Sequence, residues 1–545
     1  MNHFTSLKFL IRIFSMLCMI LVAVPNHSFG QLAAINWGAE TPASNQVIKV
    51  IGQTQTGHYA LTTRGKKKFY ISYFDGPELK LMSSEEIQLP QMNGNASKPG
   101  DIFLMDGKLV LFTAVRDKQN EAWDFYGYTL DKSGRMQGAG KRVMHIPYKY
   151  NNLRGTFGFK LSEDQSKVLL WHSGVHPNDN RSWRLQMTLV QSDLSVIQEF
   201  SEDLGQRDLE EYSKVADVIL KNDGGGYMAI QHSSFGLTRK FKFYQWDPST
   251  KFKKRTTEVD LGPLDATTLK LGLDGQGNLI GAGFYSVYGD QEKLKIDGSY
   301  FIRIDKYLDE IIVQKKQKFG AKFASPLVHA QKIAKTEIAP NSFIPKAIIP
   351  RPDGGVLMFA ESSSTFSIFL YLAFPATYRS GPIIAVSINP EGEIEWLNAI
   401  PKMQETRKNY WLPYGKLEDN SGVNFGAKFW KGRFHAPTVH QSFLIATEQD
   451  QTYLLYNDNL KNAEVSNPQD IHVLKNWKEA VPVVVKISPD GTMNKEYFDI
   501  VPKEVLVCPG PVYQVGMGEL ILYGSQANTG KFGRAQFGET VLVRE

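Results

Sequence analysis

Cysteine is almost absent from this chain. Two occur in 545 residues, Cys18 and Cys508. Cys18 lies in a segment expected to be removed, and a single remaining thiol cannot close an internal disulfide. Long apolar runs are also lacking. After residue 30 the longest, "FSIFLYLAF" (366–374), is about half of the roughly 20 residues that a membrane helix needs. Strong net charge is missing too. Lys8 and Arg12 are the only Lys, Arg, Asp or Glu residues in 1–30, so the rest carries 62 − 2 − 56 = +4. That is mild for such a length and gives no reason to expect a nucleic-acid partner. There is no Gly-x-Ser-x-Gly, no His-Glu-x-x-His and no Asp-x-Asp-x-Asp-Gly loop, which removes the motif-defined hydrolases, zinc peptidases and calcium loops.

What is present begins with a basic start at Lys8 and Arg12, the apolar run "IFSMLCMILVAV" (13–24), and small residues Ser28 and Gly30. These predict a secretory signal over 1–30 that leaves Gln31 first, with no transmembrane helix afterwards. The protein is therefore expected to be exported, periplasmic or extracellular. The whole chain is 42% hydrophobic and 12% aromatic. Over this length that exceeds one core of about 100–200 residues, so several domains or a repeat architecture is required.

The repeat is visible in turn chemistry. "IIPRPDGGVLMFAES" (348–362) breaks one apolar run with Asp-Gly-Gly and starts another at once. Glycine accepts the positive φ of turns that join twisted strands, so this reads as a hairpin. Similar hairpins recur from 47, 101, 157, 215, 269, 442 and 505, making eight. The first seven are each followed by a second turn, such as "INPEGE" (388–393) and "ISPDGT" (487–492), and then by a more polar strand. Each repeat thus has four antiparallel strands, A to D, at a spacing of about 55 residues in the first half.

A four-stranded unit so repeated predicts an all-β fold: a single eight-bladed β-propeller, with seven blades as the alternative count. The blades fall at about 47–90, 101–147, 157–205, 215–262, 269–320, 346–402, 442–502 and 505–545, all within a propeller domain over 31–545. The eighth lacks a D strand, and "LAAINW" (32–37) is expected to supply it and close the ring. Lysines blunt sheet edges, which accounts for Lys253, Lys254 and Arg255 and for Lys315, Lys316 and Lys318 on outer strands.

On these Asp-Gly-Gly hairpins the chain resembles secreted bacterial β-propeller repeat proteins. The resemblance spans nearly all of the mature chain, but it is one of repeat character and implies no catalytic residue. "SEDQSKVLLW" (162–171) only partly matches the sialidase Asp-box, and the Gly-His and Trp-Asp signature of WD40 repeats is absent. Quinone-dependent dehydrogenases resemble the chain in blade count alone.

Motifs for chemistry are weak. "DGQGNLIG" (274–281) reads as a hairpin, not a phosphate loop. "WHSGVH" (171–176) puts His172 and His176 four apart, which would suit zinc on a helix, but the stretch leaves a strand for a loop, and "HAPTVH" (435–440) is a similar weak pair. No metal and no cofactor is expected. Cys508 reads as a small buried hydrophobe.

Loop length is more informative. A–B and C–D turns lie at one end of a blade and are short here. The opposite end collects long segments at 321–342, 363–381, 402–441 and 457–480. The inter-blade insertion 402–441 is rich in aromatics. Its Tyr410, Trp411, Trp430, Arg433, Phe434, His435 and His440 are candidate ligand-binding residues, with Tyr378, Arg379, Trp477 and Trp183 from other loops of that face. A lid packed on the propeller would use the same aromatics.

The expectation is a non-catalytic binding or scaffold protein that recognises a glycan or an envelope or extracellular protein. The alternative is a polysaccharide hydrolase or lyase, for which the nearby acids are Glu361, Glu418, Asp419 and Asp458.

Overall fold

The computed structural model describes residues 32–537 apart from 43–44, 65–67, 93, 148–154, 177–178, 207–211, 235–236, 263, 267–268, 288–296, 321–342, 368–372, 412–439, 466–469, 499–504 and 526–528. Its blades are antiparallel sheets ordered A–B–C–D from first strand to last, and together they make the eight-bladed propeller expected from the turns. The last sheet runs Leu506–Gly516, Glu519–Ser525, Thr529–Phe537 and then Ala33–Pro42. The N-terminal strand is therefore the D strand of blade eight, paired from Ala33↔Phe537 to Trp37↔Gly533 and, after a bulge, from Glu40↔Lys531 to Pro42↔Thr529.

The Asp-Gly-Gly hairpins share one geometry. In blade six the Gly354 N–H donates to the Arg351 carbonyl at 3.0 Å, and the Arg351 N–H to the Gly355 carbonyl at 2.8 Å. The Asp353 carboxylate accepts the Gly355 N–H at 2.9 Å. Gly354 has φ +92°, a left-handed value that costs a residue with a Cβ. Blade four repeats this with Lys221, Asp223, Gly224 (φ +92°) and Gly225.

Each sheet is sandwiched between two others, so its B and C strands are apolar on both faces. Strand B of blade two (Lys108–Asp117) is buried without alternation. Outer strands alternate instead, as in Ile311–Lys318. The cores lie between blades. Phe103, Phe112 and Phe125 of blade two meet Val168, Leu170 and Val190 of blade three. Val47, Val50 and Phe74 of blade one meet Ile521, Tyr523 and Phe532 of blade eight, which completes the circle. The lysine-rich outer strands tie neighbouring blades: Lys254 pairs with Glu202, Arg255 with Asp309 at 2.9 Å, and Lys315 with Glu393 at 2.6 Å.

One buried group in the closing interface predicts acid sensitivity. His58 is 0% exposed, stacked on Phe74 and edge-on to Phe532, and neither ring nitrogen has a hydrogen-bond partner among the described residues. Burial lowers its pKa from 6.5 to about 4, with Arg534 adding to the effect and Asp75 opposing it. The unfolded chain then binds more protons than the fold between those two values. Stability is lost as pH falls from 6.5 towards 4, by about 3 kcal/mol from this group. His172, held neutral by burial to about 3, and His440, to about 4, add losses of the same sign. Urea unfolding at pH 7 and pH 4.5 should show a smaller drop in His58→Leu than in the wild type. An unchanged drop would mean that the closing interface is not the acid-labile element.

His172 and His176 both lie in strand B of blade three (Lys167–His176), which continues where a loop was expected. Four residues of strand separate them by about 13 Å, too far to share one metal ion. Among the described residues no helix is long and apolar enough to cross a membrane.

Candidate functional site

Blade six is built differently at its B–C end. Residues 363–367 and 373–381, expected to belong to a loop, instead continue the sheet. Strand B runs Val356–Ser367 and strand C runs Ala373–Ile388, with pairs from Ser363↔Ser380 to Ser367↔Ala376. The segment "SSSTF" followed by "AFPATYRS" has the hydroxyl, β-branched and aromatic content of a sheet. Strand D stops at Ile400, but the chain resumes as Gln404–Trp411 and pairs with the same part of strand C, from Ser380↔Gln404 to Ala373↔Trp411. The insertion 402–441 thus begins as a strand. Three strands form a crest on the loop face.

A buried polar knot holds the crest to blade seven. The Lys402 ammonium is fully buried and donates to Glu361 Oε1 at 2.6 Å, Ser380 Oγ at 2.8 Å and Gln404 Oε1 at 3.2 Å. Glu361 Oε2 accepts Ser442 Oγ at 2.7 Å and pairs with Lys346 at 3.0 Å. Burial works against the Glu361 charge, but Lys402 and Lys346 prevail and hold its pKa at about 2. Burial pulls the Lys402 pKa down while Glu361 resists. Gln404 Nε2 donates to the Asn457 carbonyl at 2.7 Å, and Asn457 Nδ2 reaches the Val507 carbonyl of blade eight at 2.7 Å.

The knot fixes the segment that follows strand B of blade seven. Leu474 N–H donates to the Met403 carbonyl at 2.8 Å and Glu405 N–H to the Leu474 carbonyl at 2.9 Å. This docks Lys475 and the short 3-10 turn Trp477–Glu479 beside the crest. Trp477 Nε1 donates to Thr406 Oγ1 at 3.2 Å. Glu405, Thr406, Arg407, Lys475 and Trp477 line a cavity of about 410 Å³.

At its floor the Glu405 carboxylate, 3% exposed, accepts Arg379 Nε at 2.9 Å and Arg407 Nε at 3.0 Å, with Lys475 Nζ at 3.9 Å. Burial opposes its charge, but the Arg379 bond and the attraction of Lys475, Arg379 and Arg407 keep its pKa below the usual carboxylate value. Arg379 and Glu405 are directly opposite in the sheet register, as a stabilising cross-strand pair requires.

Beside the cavity, His440 lies 5.6 Å from Trp477, ring to ring. Its Nδ1 is 3.4 Å from Cys508 Sγ and its Nε2 is 3.3 Å from Ser525 Oγ. Burial raises the Cys508 thiol to about 12, so it is not a thiolate nucleophile in this setting.

The structure therefore brings Tyr378, Arg379, His440 and Trp477 into one sector; the Tyr378 carbonyl accepts Gln441 Nε2 at 3.2 Å. Tyr410 and Trp411 end the third crest strand. Trp183 stands on strand C of blade three (Asp179–Gln191), three blades away, and takes no part in this site. Trp430, Arg433, Phe434 and His435 lie outside the described residues, as do Glu418 and Asp419.

The two remaining acids proposed for catalysis are sealed. Glu361 is in the knot, and Asp458, also buried, is held by Lys495 at 2.9 Å and Tyr497 at 3.1 Å. Sequence reasoning missed Glu405, Arg407 and Lys475. Glu405 and Arg407 are two apart, on one face of a strand, but that signal sat in a segment read as a link.

No family profile and no curated protein matches the chain. Among solved structures, a puromycin hydrolase is 10% identical with a TM-score of 0.36, covering 90% of this chain and 60% of its own. The chain thus spans 60% of the length of that protein. A PL25 ulvan lyase is 10% identical with a TM-score of 0.35, covering 86% of this chain and 95% of its own. The β-propeller domain of the trilobed protease from Pyrococcus furiosus is 10% identical with a TM-score of 0.29, covering 66% and 97%. Likeness this distant assigns no activity.

Proposed function

We propose that this is an exported glycan-recognition protein whose binding site is the cavity between the blade-six crest and blade seven. The carrying observation is the cavity itself, which puts the Trp477 indole beside Arg407, Lys475 and Thr406. An aromatic plane covers the apolar face of a sugar ring, while side-chain donors select its hydroxyl and charged groups. One strand and a hydrogen-bonded 3-10 turn fix Thr406 and Trp477, so little backbone ordering is required when a ligand binds. The signal expected over 1–30 supports export.

A second reading, cleavage of the bound chain, is favoured by one observation. The His440 imidazole, kept neutral by burial at about 4, lies against Trp477 and is the described histidine beside the cavity that could accept a proton. A two-carboxylate hydrolase finds no support in Glu361 or Asp458, since cations and buried hydrogen bonds hold both.

Titration calorimetry with a panel of oligosaccharides tests recognition. Trp477→Ala should weaken the best ligand about 30-fold, equivalent to about 2 kcal/mol of lost ring burial. Wild-type affinity in that variant, or no binding by any glycan, would remove the proposal. The same mixtures separate the readings: an ultraviolet-absorbing unsaturated product marks a lyase, and new reducing ends without it mark a hydrolase.

A further inference from the structure

From the charges that line this cavity we infer that the saccharide it takes is anionic, carrying a carboxylate or a sulfate. The inference rests on the glycan reading above. Of the residues that line the cavity, Arg407 and Lys475 are cationic and Glu405 is anionic, which leaves 2 − 1 = 1 positive charge in excess, and Arg379 also bonds Glu405. The placement of these groups matters as much as the count. Glu405 is buried at the floor, whereas the Arg407 and Lys475 side chains are 70% and 59% exposed. An entering ligand meets the cations first, and the one acid is already engaged by all three.

Among the described residues, Glu405 takes only the Nε of Arg407. A guanidinium held at that nitrogen keeps its outer edge for a planar anion. Lys475, at 3.9 Å from Glu405, is an ion-pair neighbour without a close hydrogen bond. The other nearby charges do not cancel the excess. Glu361 is matched by Lys402 and Lys346 beneath the crest. Glu479, in the same turn as Trp477, accepts Asn476 Nδ2 at 3.0 Å and is not among the residues that line the cavity. A neutral sugar would cover the exposed faces of Arg407 and Lys475 without matching their charge, so the site discriminates by charge as well as by shape.

The test uses the full mature chain and three oligosaccharides of similar length: an oligogalacturonate, a sulfated galactan and a neutral galactan. The acidic ligands should bind, and more weakly as salt is raised. Arg407→Gln and Lys475→Gln should each lower acidic-ligand affinity about tenfold, the value of one charge-assisted hydrogen bond. Both side chains are largely exposed and Arg379 still holds Glu405, so the melting temperatures should fall by no more than a few degrees and separate lost binding from lost folding. The ratio between the carboxylated and sulfated arms identifies the anionic group. Equal binding of the neutral galactan, unchanged in both variants, would overturn the anionic inference and leave glycan recognition standing. No binding by any of the three would overturn both.

Discussion

Removal of residues 32–38 is expected to abolish cooperative folding or to lower the melting temperature by more than about 10 °C. These residues form most of the outer strand of blade eight, so the chain would retain seven complete blades and one that ends in an unpaired edge. Leu32 and Ala33 are buried in the core shared by blades seven and eight, together with Leu522, Ala535 and Phe537. The Leu32 N–H also donates to Glu496 Oε2 of blade seven at 2.9 Å, so the strand bridges two blades. The Trp37 ring lies over Gly524 and Gly533, where a Cβ would come within 2.4 and 2.8 Å of it.

Burial of Leu32, Ile35 and Trp37 amounts to about 5 kcal/mol, comparable with the whole stability of many domains. Losing the strand also opens the edge of Thr529–Phe537 to pairing with other chains, so aggregation should accompany the loss. Calorimetry of the chain beginning at Gln31 and of the same chain without 32–38 decides the matter. Identical melting would mean that the closing strand contributes nothing to the ring.

The second large effect is expected at the buried ion pair beneath the crest. Lys402→Met leaves Glu361 buried, with Lys346 and two serine hydroxyls its remaining partners among the described residues. Removing one partner of a buried pair costs about 3–5 kcal/mol. The acid limb should change as well. The Glu361 pKa is depressed from 4.5 to about 2, so its contribution is present above 4.5 and is lost as pH falls towards 2. The shift is worth about 3 kcal/mol.

Without Lys402 the depression should shrink, and the loss should begin at higher pH. Lys402→Met with Glu361→Gln should cost less than the two single changes added together, because no uncompensated charge remains. Denaturant midpoints for the three variants at pH 7 and pH 4 supply the measurement. A loss below about 1 kcal/mol in Lys402→Met would show that the crest does not depend on this pair.

The blades were legible in the sequence because their signals are local. Asp353-Gly354-Gly355 and Asp223-Gly224-Gly225 each dictate a turn within five residues, using one carboxylate and one positive φ. The B and C strands read as unbroken apolar runs because each sheet has a neighbour on both faces. The missing last strand was legible by subtraction, since blade eight had three strands and the N-terminus had one to spare. The segment 363–381 was wrongly read as a loop, and 404–411 as part of a link. In blade six they are paired strands, because hydroxyl, β-branched and aromatic residues at 363–367 and 373–380 find partners in each other and in 404–411.

By itself the sequence determined a ring of four-stranded blades, eight as the preferred count and seven as the alternative, and it pointed to the closing strand and to the sector where one face is elaborated. Only the tertiary structure decided what that sector contains. The cavity joins Glu405 and Arg407 from one strand to Lys475 and Trp477 from another blade, and Arg379 meets Glu405 across the crest. Neither pairing has a sequence period. The physical reason is the range of the forces involved. Turn geometry and strand burial are set by adjacent residues and repeat with them. The charge balance of a cavity depends on which distant segments dock, and that docking is fixed here by the buried bonds of Lys402, Gln404 and Asn457.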